Sequence, residues 1–360
     1  MDIFPVINLA AKKGASDLHL IADSPPLARI DGQLQPLAEA APLTPEDIEQ
    51  AFRQITSDRE REEFQRRLEL DFGYTLRDGC HGIGRLRGNA ARERGKLSLT
   101  IRLVPATIPS LDELGLPTIC QELVLRPRGL VIVSGPTGSG KSTTLAAMIN
   151  HLNSVASRRV VTIEDPIEYI YTNDKCTITQ RELGSDTLSF AQALKHVVRQ
   201  DPDVILVGEM RDQETAAAVL TVAETGHLVL TTGHAPSASQ AVERIIDLFP
   251  PHERHLVQTR LASLLIGILC QTLVPRADET GRIAAVEIML ASSAIRNLIR
   301  EGKIHQLPNT IRTQAHLGME LLDHCLVRLY RERLISRESL FAFCNDEYEV
   351  AQLCDRVRIP

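Results

Sequence analysis

The stretch Gly135-Pro136-Thr137-Gly138-Ser139-Gly140-Lys141-Ser142-Thr143 constrains this chain more than any other. It fits the pattern of a glycine, four residues, then Gly-Lys-Ser/Thr, which cradles nucleotide phosphates. Glycines let the backbone turn tightly enough for successive N–H groups to point inward at anionic oxygens. Lys141 adds a point charge near the β and γ phosphates, and the Ser142 hydroxyl is placed to ligate magnesium. The flanks agree. Leu130-Val131-Ile132-Val133 is an apolar run suited to a buried strand, and Thr144-Leu145-Ala146-Ala147-Met148-Ile149 opens a helix whose N-terminal dipole favours phosphate. Strand, loop, lysine and helix fall in order, which separates this stretch from an ordinary glycine-rich turn.

A chain of 360 residues has room for two domains, and 43% apolar content supplies ordinary cores. A net charge of −6 gives no basic field to draw nucleic acid, and 4% aromatic residues without tryptophan leave few platforms for stacked bases. The longest apolar run, Leu261 to Cys270, is too short to span a bilayer, and the first residues do not read as a secretory signal, so a cytoplasmic protein is expected. None of the seven cysteines (Cys80, Cys120, Cys176, Cys270, Cys325, Cys344, Cys354) is spaced as Cys-x-x-Cys; they read as packed, reduced thiols. His252 and His255 read as solvated rather than as a metal pair.

Residues 1–105 are expected to form an α+β domain with a mainly antiparallel sheet. A short helix runs over 4–11, strands over 18–21 and 27–30, and a turn falls at Asp31-Gly32. Thr44-Pro45-Glu46-Asp47 starts a helix with Thr44 as cap and Asp47 at the capping-box position, continuing as a charged helical segment to Leu70. Strands follow over 71–104. Pro105 to Pro117 carries three prolines, so 106–117 reads as a linker. Residues 118–360 then alternate: strand 130–134, helix 141–153, strand 159–163, helix 190–200, strand 204–207, helix 212–225 and strand 228–232. That order implies a parallel sheet covered on both faces. From about 292 onward the chain is helical.

Two strand ends carry acids. Asp203-Val204-Ile205-Leu206-Val207-Gly208-Glu209 ends in Glu209, the expected magnesium-side carboxylate, because ligands of open α/β sheets bind at the C-terminal edge of the strands. Ile163-Glu164-Asp165-Pro166-Ile167-Glu168 crowds carboxylates that need a cation or hydrogen bonds to coexist. Glu168, aimed by Pro166, is the candidate base for an attacking water. His227 and His234 bracket the strand 228–232 and suggest sensing of a γ-phosphate or of a partner subunit.

Taken in this order, the residues resemble the hexameric secretion ATPases, and among them the PilT-type motors of type IV pili. The resemblance covers nearly the whole chain. It includes Gly14-Ala15-Ser16-Asp17-Leu18-His19-Leu20, the phosphate loop, an acidic box from Thr162 to Glu168, a Walker B stretch from Asp201 to Asp212, and a histidine box from Glu224 to His234. Its most discriminating part is Ala294-Ile295-Arg296-Asn297-Leu298-Ile299-Arg300-Glu301, which looks like the signature needed for retraction rather than for ATP turnover. Pilus-assembly ATPases usually carry an extra N-terminal domain and a four-cysteine motif; this chain is short for the first and has Cys270-Gln271-Thr272-Leu273-Val274-Pro275-Arg276 at the place of the second. Two positions depart from the PilT pattern. Thr232-Gly233-His234 has glycine where the family has leucine, which loosens the strand end. Lys195 stands where an arginine is common, so Arg199 alone is carried over.

The resemblance implies a RecA-like P-loop ATPase core of α/β class, an N-terminal PAS-like α+β domain and a helical C-terminal segment. It implies a homohexamer that binds ATP and Mg2+, with Glu168 as base. Arg85, Arg87 and Arg102 lie at the positions from which arginines of the N-terminal domain reach a γ-phosphate across the subunit boundary. The implied partners are an inner-membrane pilus platform protein and other motor ATPases of the pilus, at the cytoplasmic face of the inner membrane. No nucleic-acid partner is expected. The alternatives are a PilU-like accessory motor, an assembly or secretion ATPase of a related system, a RecA-like nucleic-acid translocase, and a non-catalytic ATP-binding regulator whose histidine box Gly233 has disabled.

Overall fold

The computed structural model describes residues 1–30, 32–37, 41–80 and 82–355, with the side chains of 77–80 excepted. The chain forms two compact units, Met1–Ile108 with Pro166–Tyr171, and Pro109–Asp165 with Thr172–Pro360.

The first unit is built on a six-stranded antiparallel sheet. Its strands are β1 (Asp17–Leu20), β2 (Leu27–Ile30), β3 (Gln33–Pro36), β4 (Glu69–Cys80), β5 (Ile83–Glu93) and β6 (Lys96–Pro105), in the order β3-β2-β1-β6-β5-β4. Ile30 pairs with Gln33 across the expected turn, whose first residue, Asp31, lies outside the described residues. Helices α1 (Ile3–Lys12), α2 (Pro45–Ile55) and α3 (Asp58–Arg67) complete the unit. Ile3, Ile7, Ile48, Phe52 and Phe64 from the helices are buried in one core with Leu86, Leu99 and Ile101 from the sheet. Thr44 and Asp47 form the capping box that their spacing implies. The helical segment does not run unbroken to Leu70. A second capping box, Ser57 with Glu60, starts a new helix, and Leu68 closes it at φ 65°, so that β4 begins at Glu69. A serine three residues before an acid was the missed start signal.

The second unit holds a seven-stranded sheet. Its strands are β7 (Gly129–Ser134), β8 (Arg159–Glu164), β9 (Thr177–Glu182), β10 (Val204–Val207), β11 (Leu228–Thr232), β12 (Leu265–Pro275) and β13 (Arg282–Leu290), in the order β13-β12-β7-β11-β10-β8-β9. All neighbours are parallel except the antiparallel hairpin of β12 and β13. Every residue of β7 is buried, as a central strand covered on both faces requires. Strands β9, β12 and β13 had no place in the alternation read from the sequence.

Helices α4 (Ile119–Val124), α5 (Lys141–Val155), α6 (Phe190–Val197), α7 (Gln213–Glu224), α8 (Ala238–Asp247) and α9 (Arg254–Leu264) accompany this sheet. The C-terminal part is helical as expected: α10 (Ser293–Arg300), α11 (Leu307–Thr313), α12 (Leu322–Arg331), α13 (Arg337–Phe343) and α14 (Glu347–Asp355). Leu322, Leu326 and Leu340 of this part pack with Val274 and Ile283 of the hairpin. Cys120, Cys176, Cys270, Cys325, Cys344 and Cys354 are free thiols. Burial pushes Cys120 up to about 12, which keeps it an unreactive thiol. The side chain of Cys80 lies outside what is described. No helix among the described residues is long and apolar enough to cross a membrane.

Candidate functional site

Strand register decides which side chains of the second unit can meet. Val133 pairs with Thr232, Thr231 with Val207, and Val207 with Ile163. The C-terminal ends of β7, β11, β10 and β8 therefore stand level. Gly135, Gly233-His234 and Gly208-Glu209, which follow them, and Glu164, the last residue of β8, fall on one edge of the sheet. Adjacent strands lie about 4.8 Å apart, so the strands leading to the loop and to Glu209 are separated by roughly 10 Å.

The loop is shaped by its glycines. Gly135, Gly138 and Gly140 have φ of 142°, 80° and 86°, which L-residues with side chains rarely adopt. Gly135 also lies against β12, where a Cβ would come within 2.2 Å of the Gln271 carbonyl oxygen. A Cβ on Gly138 would meet nothing within 4 Å, so its outer side is open. Pro136, Thr137 and Ser139 complete the turn into α5, and Gly140 caps that helix without a side chain. Lys141 donates from Nζ to the carbonyl oxygens of Gly135 and Pro136 at 2.8 and 2.9 Å, which holds the ammonium over the loop. A cavity of about 410 Å³ lies beside it, lined in part by Gly140, Thr143, Leu273, Arg282 and Leu334. Its lining sets Leu114, Leu116 and Ile283 beside Asp112, Arg276 and Gln271, a mixture of apolar and polar groups that suits a base and its ribose.

Glu209 follows β10, whose end is pinned by the Thr232 hydroxyl donating to the Gly208 carbonyl at 2.5 Å. Its carboxylate pairs with Arg211 at 2.8 Å, and its other oxygen lies 4.0 Å from His234 Nε2. Nε2 of His234 is buried without a hydrogen-bond partner. Burial lowers the His234 pKa first, followed by the positive charges of Lys141, Arg211 and Arg244, so the imidazole is neutral near pH 7. Glu164 accepts from the Thr162 hydroxyl at 2.6 Å and from Gln180 at 3.3 Å, part of the compensation that its acidic neighbourhood demands.

Gly233 does not loosen the strand end. Its N–H donates to Val133 at 2.9 Å, and the Ser134 hydroxyl donates to the Ala235 carbonyl at 2.7 Å, so His234 is clamped to β7 from both sides. A Cβ at position 233 would stand 3.0 Å from the Ser134 hydroxyl. The glycine makes room for that serine.

Magnesium takes hard oxygen donors, and it is implied here by the loop. The exposed Ser142 hydroxyl at the start of α5 and the Glu209 carboxylate are such donors on the same sheet edge, and the donor set fits.

The first unit carries the remaining candidates. Arg87 pairs with Arg102 across β5 and β6, and Arg85 lies two residues from Arg87, so all three arginines share one face of the sheet. Arg102 bonds its cross-strand neighbour Asp17 at 3.0 Å. Arg85 is buried and donates to its own cross-strand neighbour, Thr75, at 2.7 Å. Arg87 donates to Glu168 at 3.3 Å. Glu168 belongs to Pro166–Tyr171, the short piece that packs with the first unit.

His227 is not brought to the phosphate loop. It precedes β11, and its carbonyl accepts from Gly129 at the start of β7. It thus stands at the opposite edge of the sheet, about 17 Å along a five-residue strand. Its Nδ1 lies 3.0 Å from both the Thr225 hydroxyl and the Val222 carbonyl at the end of α7. The segment Ala294 to Glu301 lies toward the same edge. Ile295 and Ile299 are buried, Leu298 is partly so, and Arg300 is exposed. Arg296 donates to the carbonyls of Ala262 and Ser263, which end α9 just before β12, and to Ala291. Asn297 bonds Glu301 at 2.9 Å on the surface. Ser134 and Gln271, which brace the site from beneath, carry no motif signal and were missed from the sequence, whereas Thr232 lies within the histidine box.

The chain matches the model of the family described as type II/IV secretion system protein over residues 3–297. It is 44% identical to the type IV pilus retraction ATPase PilT of Pseudomonas aeruginosa, over 94% of this chain and 97% of that one. It is 40% identical to the type IV pilus ATPase PilU of the same organism, over 96% and 89%. Among solved structures, a crystal structure of the pilus retraction motor PilT with bound ADP aligns with a TM-score of 0.89 and 41% identity, covering 98% of this chain and 99% of that one. The fold class is the one the motifs imply: a RecA-like α/β core, an N-terminal PAS-like α+β domain and a helical C-terminal segment.

Proposed function

The chain belongs to the type II/IV secretion system protein family, and on that premise we propose that it is an ATP-hydrolysing motor, assembled as a homohexamer, that drives type IV pilus retraction. The observation that carries this reading is the level edge of the second unit's sheet, where the open loop, Glu209 and the unpartnered nitrogen of His234 stand together. Lys141 and the backbone of 136–142 hold the phosphates. Ser142 and Glu209 hold magnesium, which offsets charge on the β and γ oxygens. Glu168 orients the attacking water and takes its proton. His234, as a neutral imidazole, offers Nε2 toward the nucleotide. Arg85, Arg87 and Arg102 act on the γ-phosphate of a neighbouring protomer, and His227, on the far edge, serves subunit sensing instead.

In this reading residues 1–105 are one domain, 106–117 a linker and 118–360 the ATPase domain. Loss of the γ-phosphate releases contacts between protomers, and the domains turn about the linker. The segment Ala294 to Glu301 passes the motion to a platform protein at the cytoplasmic face of the inner membrane. The test is phosphate release from Mg-ATP by the purified chain. Activity that Lys141→Ala abolishes without unfolding supports the reading, and turnover unchanged in that variant defeats it. The 40% identity to PilU favours a second reading, an accessory motor. Deleting the gene separates the two: lost retraction marks the primary motor, retained retraction the accessory one.

A further inference from the structure

We infer that Gln271, which also lines the cavity beside the loop, positions the phosphate loop and acts on the bound phosphates through the backbone. Gln271 lies on β12 one residue beyond Cys270, which pairs with Ser134 at the end of β7. It therefore stands level with Gly135, the first residue of the loop. Its side chain is buried, 5% exposed, beneath the turn. Nε2 donates to the Ser139 carbonyl at 2.7 Å, and Oε1 accepts from the Thr144 hydroxyl at 2.7 Å. The carbonyl can only accept, which fixes the amide's orientation. One carboxamide thus ties the crest of the loop to the first turn of α5.

The consequence follows from peptide geometry. In a planar trans peptide the C=O and the next N–H point in opposite directions. With the Ser139 carbonyl drawn toward β12, the Gly140 N–H points away from β12, into the mouth of the loop. That N–H is one of the donors a phosphate oxygen needs. The side chain also shapes the loop sterically, because a Cβ on Gly140 would lie 3.0 Å from Nε2. Leucine at 271 leaves a buried carbonyl and a buried hydroxyl unpaired. Glutamate, when ionised, turns a carboxylate oxygen against the Ser139 carbonyl.

This inference rests on the reading of the loop as a phosphate site. The test is calorimetric titration of the purified full chain with Mg-ADP, alongside ATP turnover. Gln271→Leu is expected to weaken ADP binding about tenfold, the scale of a lost buried hydrogen bond, and to raise KM more than it lowers kcat. Gln271→Glu supplies a pH signature. A protonated carboxyl is isosteric with the carboxamide and donates as it does, so its affinity relative to wild type should be low at pH 8 and recover toward pH 6. Thr144→Val, which removes half of the bridge, should show a smaller loss of the same kind. Folded variants that bind ADP as wild type does, or a Gln271→Glu ratio independent of pH, overturn the assignment of Gln271. Failure of the wild-type chain itself to bind Mg-ADP overturns instead the phosphate-site reading beneath it.

Discussion

Arg87 and Glu168 are joined by a 3.3 Å ion pair within the first unit. The proposed function gives them different tasks, one at a γ-phosphate across a subunit boundary, as the family resemblance implies, and the other at an attacking water. Their side chains are 39% and 32% exposed, so the pair contributes about 1 kcal/mol or less and is easily exchanged for other partners. Glu168→Gln should therefore leave thermal stability and ADP binding nearly unchanged while lowering kcat by roughly 10²–10⁴, the usual worth of a positioned base. Single-turnover hydrolysis beside an ADP titration checks this. A variant with wild-type turnover removes Glu168 from the chemistry.

The loop glycines should separate binding from folding. Gly138→Ala puts a methyl group into open space at φ 80°, where the strain costs about 1 kcal/mol. It should fold, yet lose nucleotide affinity because the methyl alters the loop's open side. Gly135→Ala instead drives a Cβ to within 2.2 Å of a backbone carbonyl on β12, and neither strand can yield cheaply. It should lower the unfolding temperature markedly more than Gly138→Ala. Paired thermal melts and Mg-ADP titrations decide the matter; equal melting temperatures for the two variants would contradict the close approach of β7 and β12.

These positions also mark how far the sequence could be read. The loop, Glu209 and His234 were legible because each follows an apolar run that must be a buried strand, and parallel register then sets strand ends level. Register was also needed for the converse result: His227 sits only seven residues before His234, yet a strand between them sends the two to opposite edges. The bracing was not legible. Gln271 lies in a strand whose apolar run reads equally as helix or strand, and nothing local announces that β12 will pair with β7 across about 135 residues. Ser134 compensates for Gly233, but a single sequence gives no sign that the two belong together.

His234 should titrate below its ordinary value of 6.5, because burial and then Lys141, Arg211 and Arg244 disfavour its protonated form. A depressed folded pKa means that the unfolded chain binds a proton more readily between 6.5 and the folded value. The stability linked to this residue is therefore present above pH 6.5 and is lost as the pH falls through the folded pKa. Filling the loop with phosphate offsets the charge of Lys141 and should raise the His234 pKa. NMR titration of the ring, with and without ADP, reads both shifts. A midpoint at or above 6.5 in the free chain, or one that ADP leaves in place, contradicts the arrangement.

Arg296 offers the sharpest test of the segment Ala294 to Glu301. Its guanidinium donates to the carbonyls of Ala262, Ser263 and Ala291 at 2.6, 2.7 and 2.9 Å, which ties α10 to the end of α9. Burial lowers its pKa, as expected for a cation held by carbonyls rather than by a carboxylate. Arg296→Ala should cost about 1–3 kcal/mol, because it leaves carbonyls at a helix end without donors. Arg296→Lys should recover only part of this, since an ammonium lacks the planar fork that spans three acceptors. Asn297→Ala, which removes only a surface bond to Glu301, should change stability by a few tenths of a kcal/mol. Denaturant unfolding of the three variants gives the order, and their ATP turnover tests its meaning. The contacts of Arg296 lie toward the edge opposite the loop, so folded Arg296→Lys should keep turnover within about twofold while pilus retraction falls. If hydrolysis and retraction decline together in that variant, the segment supports the ATP site itself, and its proposed role in passing motion onward is wrong.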